Sequence, residues 1–381
     1  MIKIILLAPG MFALGLDAFV ISGLLPYISQ DLNISIASAA QSATAFTLCY
    51  ALAAPIFATL LAGKEVKNIL IIALLVFTAG NALSAVSNTL TILIIGRCIA
   101  GMGAGIFSPL AIAGAAALVS PSQKGTALGV TLGSMSMGVV LGVPFGLLIA
   151  EMVGWQSTLW LITVIGIIGM VVIQLKFPSV KASTPPTLIQ RLSILKNKKV
   201  ATTITITFLT ALSSLGLYTY ISSIVSTMKS AYSLVIYLWI CGVGGVIGSF
   251  TVGGIIDKTK NPTMVMGAIL TLMVTAILLI PSTIQLPIIS CLPFLLWGAM
   301  GWASQTPQQH VLIHAEPNHA AAAVALNSST TYLGSSTGVM LGGVLLANGV
   351  KPISITYIAG VVGIAALIWQ LSVIRGRFNT E

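Results

Sequence analysis

The sequence predicts an all-α membrane protein with twelve transmembrane helices in two pseudo-symmetric six-helix bundles. Composition is the first reason. Hydrophobic side chains make up 57% of the 381 residues and charged ones only 6%, against about 25% charged in a soluble domain, and mean hydropathy is +1.06. With Lys and Arg numbering 17 and Asp and Glu 7, a chain of this length cannot coat itself against water, so most of its surface faces lipid. Periodic length is the second reason: apolar runs of about 20 residues, enough to cross the hydrocarbon core, recur along the whole chain. The third is that the basic residues collect on one side of those runs.

The first run lies near 4–25. It is long, contains Pro9 and Asp17, and lacks a small-residue cleavage site, so it is read as a retained span and not as a signal peptide. Further runs lie near 38–61, 69–88, 90–117, 125–150 and 156–175. A polar stretch from Lys176 to Val200 follows, with Pro178, Pro185, Pro186 and the run Lys196-Asn197-Lys198-Lys199. It reads as a cytoplasmic linker, 177–200, between bundles at 1–176 and 201–381. The second six runs lie near 201–227, 232–256, 262–281, 286–313, 320–347 and 353–374.

Placing the N-terminus inside puts nearly every Lys and Arg in a cytoplasmic segment. The exceptions are Lys229 and Lys351 outside and Arg97 within the fourth run. A miscounted span would scramble this asymmetry, so both termini are expected in the cytoplasm. The net charge of +10 thus belongs to loops and not to one basic face, and no nucleic-acid partner is expected. Cys49, Cys98, Cys241 and Cys291 fall inside apolar runs without CxxC spacing and read as small packing residues. His310 and His314 have i, i+4 spacing, but Val311 and not Glu follows His310, so a metal site of the HExxH kind is not expected. No GxxxxGK[ST] loop is present to suggest direct use of ATP.

The halves echo each other at an offset of roughly 200 residues, the mark of a duplicated membrane fold. Gly15-Leu16-Asp17 aligns with Gly216-Leu217-Tyr218, Lys67-Asn68 with Lys260-Asn261, Gly103 and Pro109 with Gly301 and Pro307, and Gly138-x-x-x-Gly142 with Gly338-x-x-x-Gly342.

Four stretches carry a family likeness. The first run contains Asp17 followed nine positions later by Pro26, and the fourth contains Arg97-x-x-x-Gly101-x-Gly103. The fifth holds Gly129, Gly138, Gly142, Pro144 and Gly146, and the eleventh opens Ala325-Leu326-Asn327-Ser328-Ser329 before Gly334, Gly338, Gly342 and Gly343. These resemble the major facilitator superfamily, and within it the twelve-span drug:proton antiporter and sugar-efflux branch, over essentially the whole chain. The family's motif between spans 2 and 3 is altered: Gly63-Lys64-Glu65-Val66-Lys67 lacks its aspartate, whereas Gly253-Gly254-Ile255-Ile256-Asp257-Lys258 keeps the pattern in the second half. Gating contacts are therefore assigned to Pro26, Gly253, Asp257 and Lys258.

The resemblance implies a monomeric bacterial cytoplasmic-membrane protein that exports a small amphipathic, drug-like or sugar-like solute in exchange for protons. No cofactor is implied; a proton gradient supplies the drive. Uptake by symport or facilitated diffusion on the same fold is the alternative. A membrane enzyme or receptor would need a polar catalytic cluster or a sizeable extramembrane domain, and neither is visible. Asp17 and Arg97 are the clear ionisable groups inside spans, where an unpaired charge costs several kcal/mol. At about 1.5 Å per residue both lie roughly 13–15 Å from the outer ends of their spans. The family fold places those spans beside one cavity. Asp17 is assigned to proton coupling with Arg97 modulating it, the competing reading being a permanent salt bridge that only orders helices. Tyr50, Tyr218, Tyr220, Trp239, Gln305 and Asn327 are candidates to line the cavity, with interhelical packing an equal alternative for each. The span-five glycines are assigned to close helix approach and Pro144 to bending.

Overall fold

The computed structural model describes the backbone of residues 2–60, 65–120, 124–178 and 193–378. Gly63, Lys64, Pro185 and Pro186 of the sequence analysis lie outside the described residues, as do the surroundings of Gly129.

Two compact units divide the chain, Met1–Leu188 and Ile189–Glu381. In the first, after a turn of helix at Ile2–Ile5, come α1 (Ala8–Asp31), α2 (Ile36–Leu60), α3 (Val66–Ala85) and α4 (Leu90–Ala117). They are followed by α5 (Lys124–Met137), a π-helical turn (Gly138–Gly142), α6 (Val143–Val153) and α7 (Trp155–Lys176). The second unit holds α8 (Lys198–Tyr218), α9 (Ile221–Thr227), α10 (Leu234–Thr259), α11 (Pro262–Thr283), α12 (Cys291–Ala303), α13 (Gln305–Ala315), α14 (Ala320–Ala347) and α15 (Ser354–Phe378).

Ten stretches among the described residues are long and apolar enough to cross a bilayer. The other two predicted spans are formed differently. The tenth is split at Ser304 into α12 and α13. Pro307 has no N–H for the Ala303 carbonyl, the acceptor that falls at the break. The eleventh, α14, is 28 residues long, but its hydroxyl-rich run from Asn327 through Thr331 and from Ser335 through Thr337 lowers its hydropathy. The fifth span is interrupted as well. Pro144 cannot donate to the turn before it, and the chain widens to a π turn at Gly138–Gly142. The first helix continues through Pro26 to Asp31, beyond the expected end.

Burial is inverted relative to a water-soluble bundle. Large apolar side chains such as Phe250, Met152 and Val361 stand exposed, while Asp17, Asn81, Arg97, Gln308 and Asn327 are buried. Lipid solvates the former, and the latter must find partners inside each unit.

The units share one packing scheme. In unit 1, α1 packs on α2, α5 and α7, α3 on α4 and α7, and α2 on α4. In unit 2, α8 packs on α14 and α15, α11 on α12 and α15, and α10 on α12. Glycines at matching places make the close approaches: a Cβ at Gly138 would fall on the Phe12 carbonyl, and one at Gly338 on the Leu212 carbonyl. Both residues of each pair sit 200 positions apart, which gives the sequence echo a physical cause.

Candidate functional site

The buried charges of unit 1 meet at one point. Arg97 Nη1 donates to Asp17 Oδ1 at 2.6 Å and to Asn81 Oδ1 at 3.2 Å. Asn81 Nδ2 donates to Asp17 Oδ2 at 3.0 Å and to the Phe77 carbonyl at 3.1 Å. Asp17 and Asn81 are fully buried and Arg97 is 1% exposed. Both carboxylate oxygens thus receive a donor, from different helices. Arg97 Nε finds no hydrogen-bond partner among the described residues.

Small residues beside the polar ones make this cluster possible. Gly80 precedes Asn81 and Gly96 precedes Arg97, and a Cβ on either would meet the backbone of the opposing helix: Ala100 N for Gly80, Ser84 N for Gly96. Only with these backbones in contact can a short asparagine on α3 reach a guanidinium on α4. Gly101 does the same for α2, since a Cβ there would fall on the Phe46 carbonyl. That approach brings the Phe46 ring to 4.3 Å from Arg97 Cζ, a cation–π contact on the guanidinium face not used for hydrogen bonding.

The cluster couples elements as well as charges. α1 carries Asp17, α3 carries Asn81 and α4 carries Arg97, so a change in the charge of Asp17 alters how three helices are joined. Chemically, the carboxylate can hold or yield a proton, and its neutral form accepts a weaker interaction from Arg97 than its charged form. Asn81 did not emerge from the sequence. A lone amide in the apolar run from Leu70 to Ser84 was the available signal, because such groups are costly in a span unless paired.

The remaining candidates are distributed through both units. Tyr50 is buried on α2, its ring 6.3 Å from that of Phe46. Tyr218 is half-buried at the end of α8, 6.0 Å from the ring of Trp297. Tyr220 is fully buried: its hydroxyl donates to the Val339 carbonyl and its ring fills the space left by Gly342, so it joins α14 to the start of α9. Trp239 on α10 and Gln305 at the start of α13 are half-buried. Asn327 is fully buried, its Oδ1 accepting from Thr207 Oγ1 at 2.6 Å, while its Nδ2 has no partner among the described residues.

Along the fifth span, a Cβ at Gly142 would touch Leu16 and one at Gly146 would touch Thr158 and Val20. Together with Gly138 they pack the π turn and Pro144 against α1, on the helix that carries Asp17. Of the residues that the sequence assigns to gating, Pro26 lies inside α1, and Asp257 and Lys258 are exposed on the last turn of α10, where a Cβ at Gly253 would meet nothing. The His310 and His314 rings stack at 4.2 Å, and no group of three or more metal-ligating side chains occurs among the described residues.

Comparison with known proteins matches this architecture. The sequence profile of the Major Facilitator Superfamily covers residues 7–336. The chain is 31% identical over 382 residues to the Uncharacterized MFS-type transporter YbcL of Bacillus subtilis (strain 168), covering 100% of this chain and 96% of that protein. It is 27% identical to the Inner membrane transport protein YdhP of Escherichia coli (strain K12), covering 96% and 94%. A Chloramphenicol resistance protein of Streptomyces lividans shares 32% identity over 159 residues, 42% of this chain and 41% of that one. In structure, the human organic anion transporter MFSD10 (TETRAN) superimposes with a TM-score of 0.68 at 15% identity, covering 96% of this chain and 98% of that chain. The buried polar cluster, the repeated helix packing and these matches together place the chain in the Major Facilitator Superfamily, as a multi-pass membrane transporter.

Proposed function

We propose that the protein exports a small amphipathic, drug-like or sugar-like solute across the bacterial cytoplasmic membrane in exchange for protons, by alternating access. The observation that carries this reading is the Asp17–Asn81–Arg97 cluster: a fully buried carboxylate whose two oxygens are held by two other helices. When Asp17 is charged, it holds α1 to α3 and α4 through an ion pair. When it takes a proton, the ion pair is reduced to a weaker hydrogen bond between the still-charged Arg97 guanidinium and a neutral carboxyl, and the hold of α1 on the other two helices loosens. Proton uptake on one side and release on the other then drive the protein between its two shapes, with the solute carried the opposite way. The partial match to a chloramphenicol resistance protein supports an amphipathic cargo, and the glycine-lined fifth span packed on α1 supports export over uptake.

The energetics suffice. One charge crossing about 100 mV releases about 2.3 kcal/mol, and a tenfold solute gradient requires about 1.4 kcal/mol. One proton therefore expels a neutral solute uphill. A monovalent cation exchanged one for one moves no net charge and depends on the pH difference alone.

The cluster's geometry also favours a second reading, a permanent salt bridge that only fastens helices, because every oxygen of Asp17 is already satisfied. Reconstitution separates them. Proteoliposomes with an internal pH dye and an imposed pH gradient are challenged with amphipathic cations, neutral drugs and sugars in turn. Antiport predicts solute-dependent proton movement with at least one class; none with any class rejects the proposal and leaves the fastening role.

A further inference from the structure

The chain has seven acidic residues, and of these Asp17 alone stands deep inside a span. Asp31 closes α1, Glu65 precedes α3, Glu151 and Asp257 sit in the last turns of α6 and α10, Glu316 follows α13, and Glu381 ends the chain. The Asp17 carboxylate is already committed, with Arg97 Nη1 at 2.6 Å from Oδ1 and Asn81 Nδ2 at 3.0 Å from Oδ2. Among the described residues, Asp17 and Arg97 are also the two charged side chains that are buried.

Unit 2 fills its interior with neutral groups. Thr207 donates to Asn327 Oδ1 at 2.6 Å, Ser213 to the Ala359 carbonyl at 2.7 Å and Trp297 Nε1 to Ser214 Oγ at 2.8 Å, all of them buried. Among the described residues, its lysines, arginines and acids stand at helix ends or between helices. His310 and His314 on α13 can add positive charge but no negative charge.

These groups fix the sign of the interior in each protonation state. With Asp17 ionised, its charge and that of Arg97 sum to zero. With Asp17 protonated, Arg97 remains and the sum is one positive charge. Neither state offers a cation a surplus negative charge. An antiporter holds cargo and proton in turn, so the solute is on board while Asp17 is ionised and paired. A permanent cation entering then lacks a counter-charge, which weakens its binding about 100-fold relative to an uncharged solute of the same shape. An anion is drawn instead to the protonated state, where Arg97 is unopposed; it travels with the proton, which is symport and not exchange.

We propose that the exchanged solute carries no net charge at neutral pH and is recognised through hydroxyl, amide and aromatic groups. This inference rests on the antiport reading and narrows it. Each one-for-one cycle then moves one net charge, so a membrane potential drives export even with equal pH on both sides.

The test uses proteoliposomes of the full-length wild-type protein, with protein-free liposomes as background. The probes are two uncharged solutes, chloramphenicol and isopropyl thiogalactoside, and two permanent cations, tetraphenylphosphonium and ethidium. Each is first scored for solute-dependent proton movement in an imposed pH gradient. Valinomycin and a potassium gradient then set a lumen-positive potential at equal pH, and molecules with their cytoplasmic face outward carry solute inward as protons leave. About 100 mV is enough to accumulate an uncharged solute up to about 40-fold. The expected result is proton movement with at least one uncharged probe and neither cation, and a several-fold, valinomycin-dependent accumulation of that probe. Proton movement with either cation, or an uncharged solute that exchanges for protons without responding to the potential, overturns this inference and leaves antiport standing. Proton movement with none of the probes removes both.

Discussion

Removing the Arg97 charge should damage the protein more than removing Arg97 and Asp17 together. Arg97→Gln leaves the Asp17 carboxylate, fully buried, with the Asn81 amide at 3.0 Å as its remaining side-chain donor. Breaking one side of a buried ion pair costs about 3–5 kcal/mol, because the partner charge is stranded. Loss of the guanidinium over the Phe46 ring at 4.3 Å adds about 1 kcal/mol or more. In Asp17→Asn/Arg97→Gln no charge is stranded, and two amides facing Asn81 can hydrogen-bond with each other. The double variant should therefore unfold closer to wild type than Arg97→Gln does, with a coupling energy of about 2 kcal/mol or more. The assay is a double-mutant cycle on reversible unfolding in mixed micelles, with expression and monodispersity checked for each variant. Strictly additive losses would refute the reasoning, since they would mean the two side chains do not share a low-dielectric contact.

Other consequences follow from the same packing. Asn81→Leu deletes a donor to Asp17 and an acceptor from Arg97 and should cost about 1–3 kcal/mol in unfolding free energy, with solute affinity altered less than proton coupling. Gly138→Val and Gly338→Val place methyl groups on the Phe12 and Leu212 carbonyls and should each cost about 1–3 kcal/mol, seen as lower unfolding temperatures of similar size in the two variants. Tyr220→Phe removes the hydroxyl that reaches the Val339 carbonyl and should cost about 1 kcal/mol while solute transport continues at a comparable rate.

The sequence carried the fold because lipid imposes a strong rule: apolar length sets spans, and basic loops set sides. Asp17 and Arg97 stood out for the same reason, as charges where hydropathy permits almost none. Asn81 did not, since one amide barely changes the mean hydropathy of its run, yet its neighbour Gly80 lets it reach both charges. The break between α12 and α13 was also hidden: hydropathy averages over Trp302 to Pro307 and does not register which carbonyl a proline leaves unsatisfied.

Counterflow and gradient-driven transport, measured in the same vesicles, test the central claim most directly. With Asp17→Asn and a solute that wild type carries, exchange of labelled for unlabelled solute without any ion gradient should persist. Accumulation driven by an imposed pH difference should vanish. Accumulation at the wild-type level in that variant would contradict the assignment of Asp17 as the proton-carrying group.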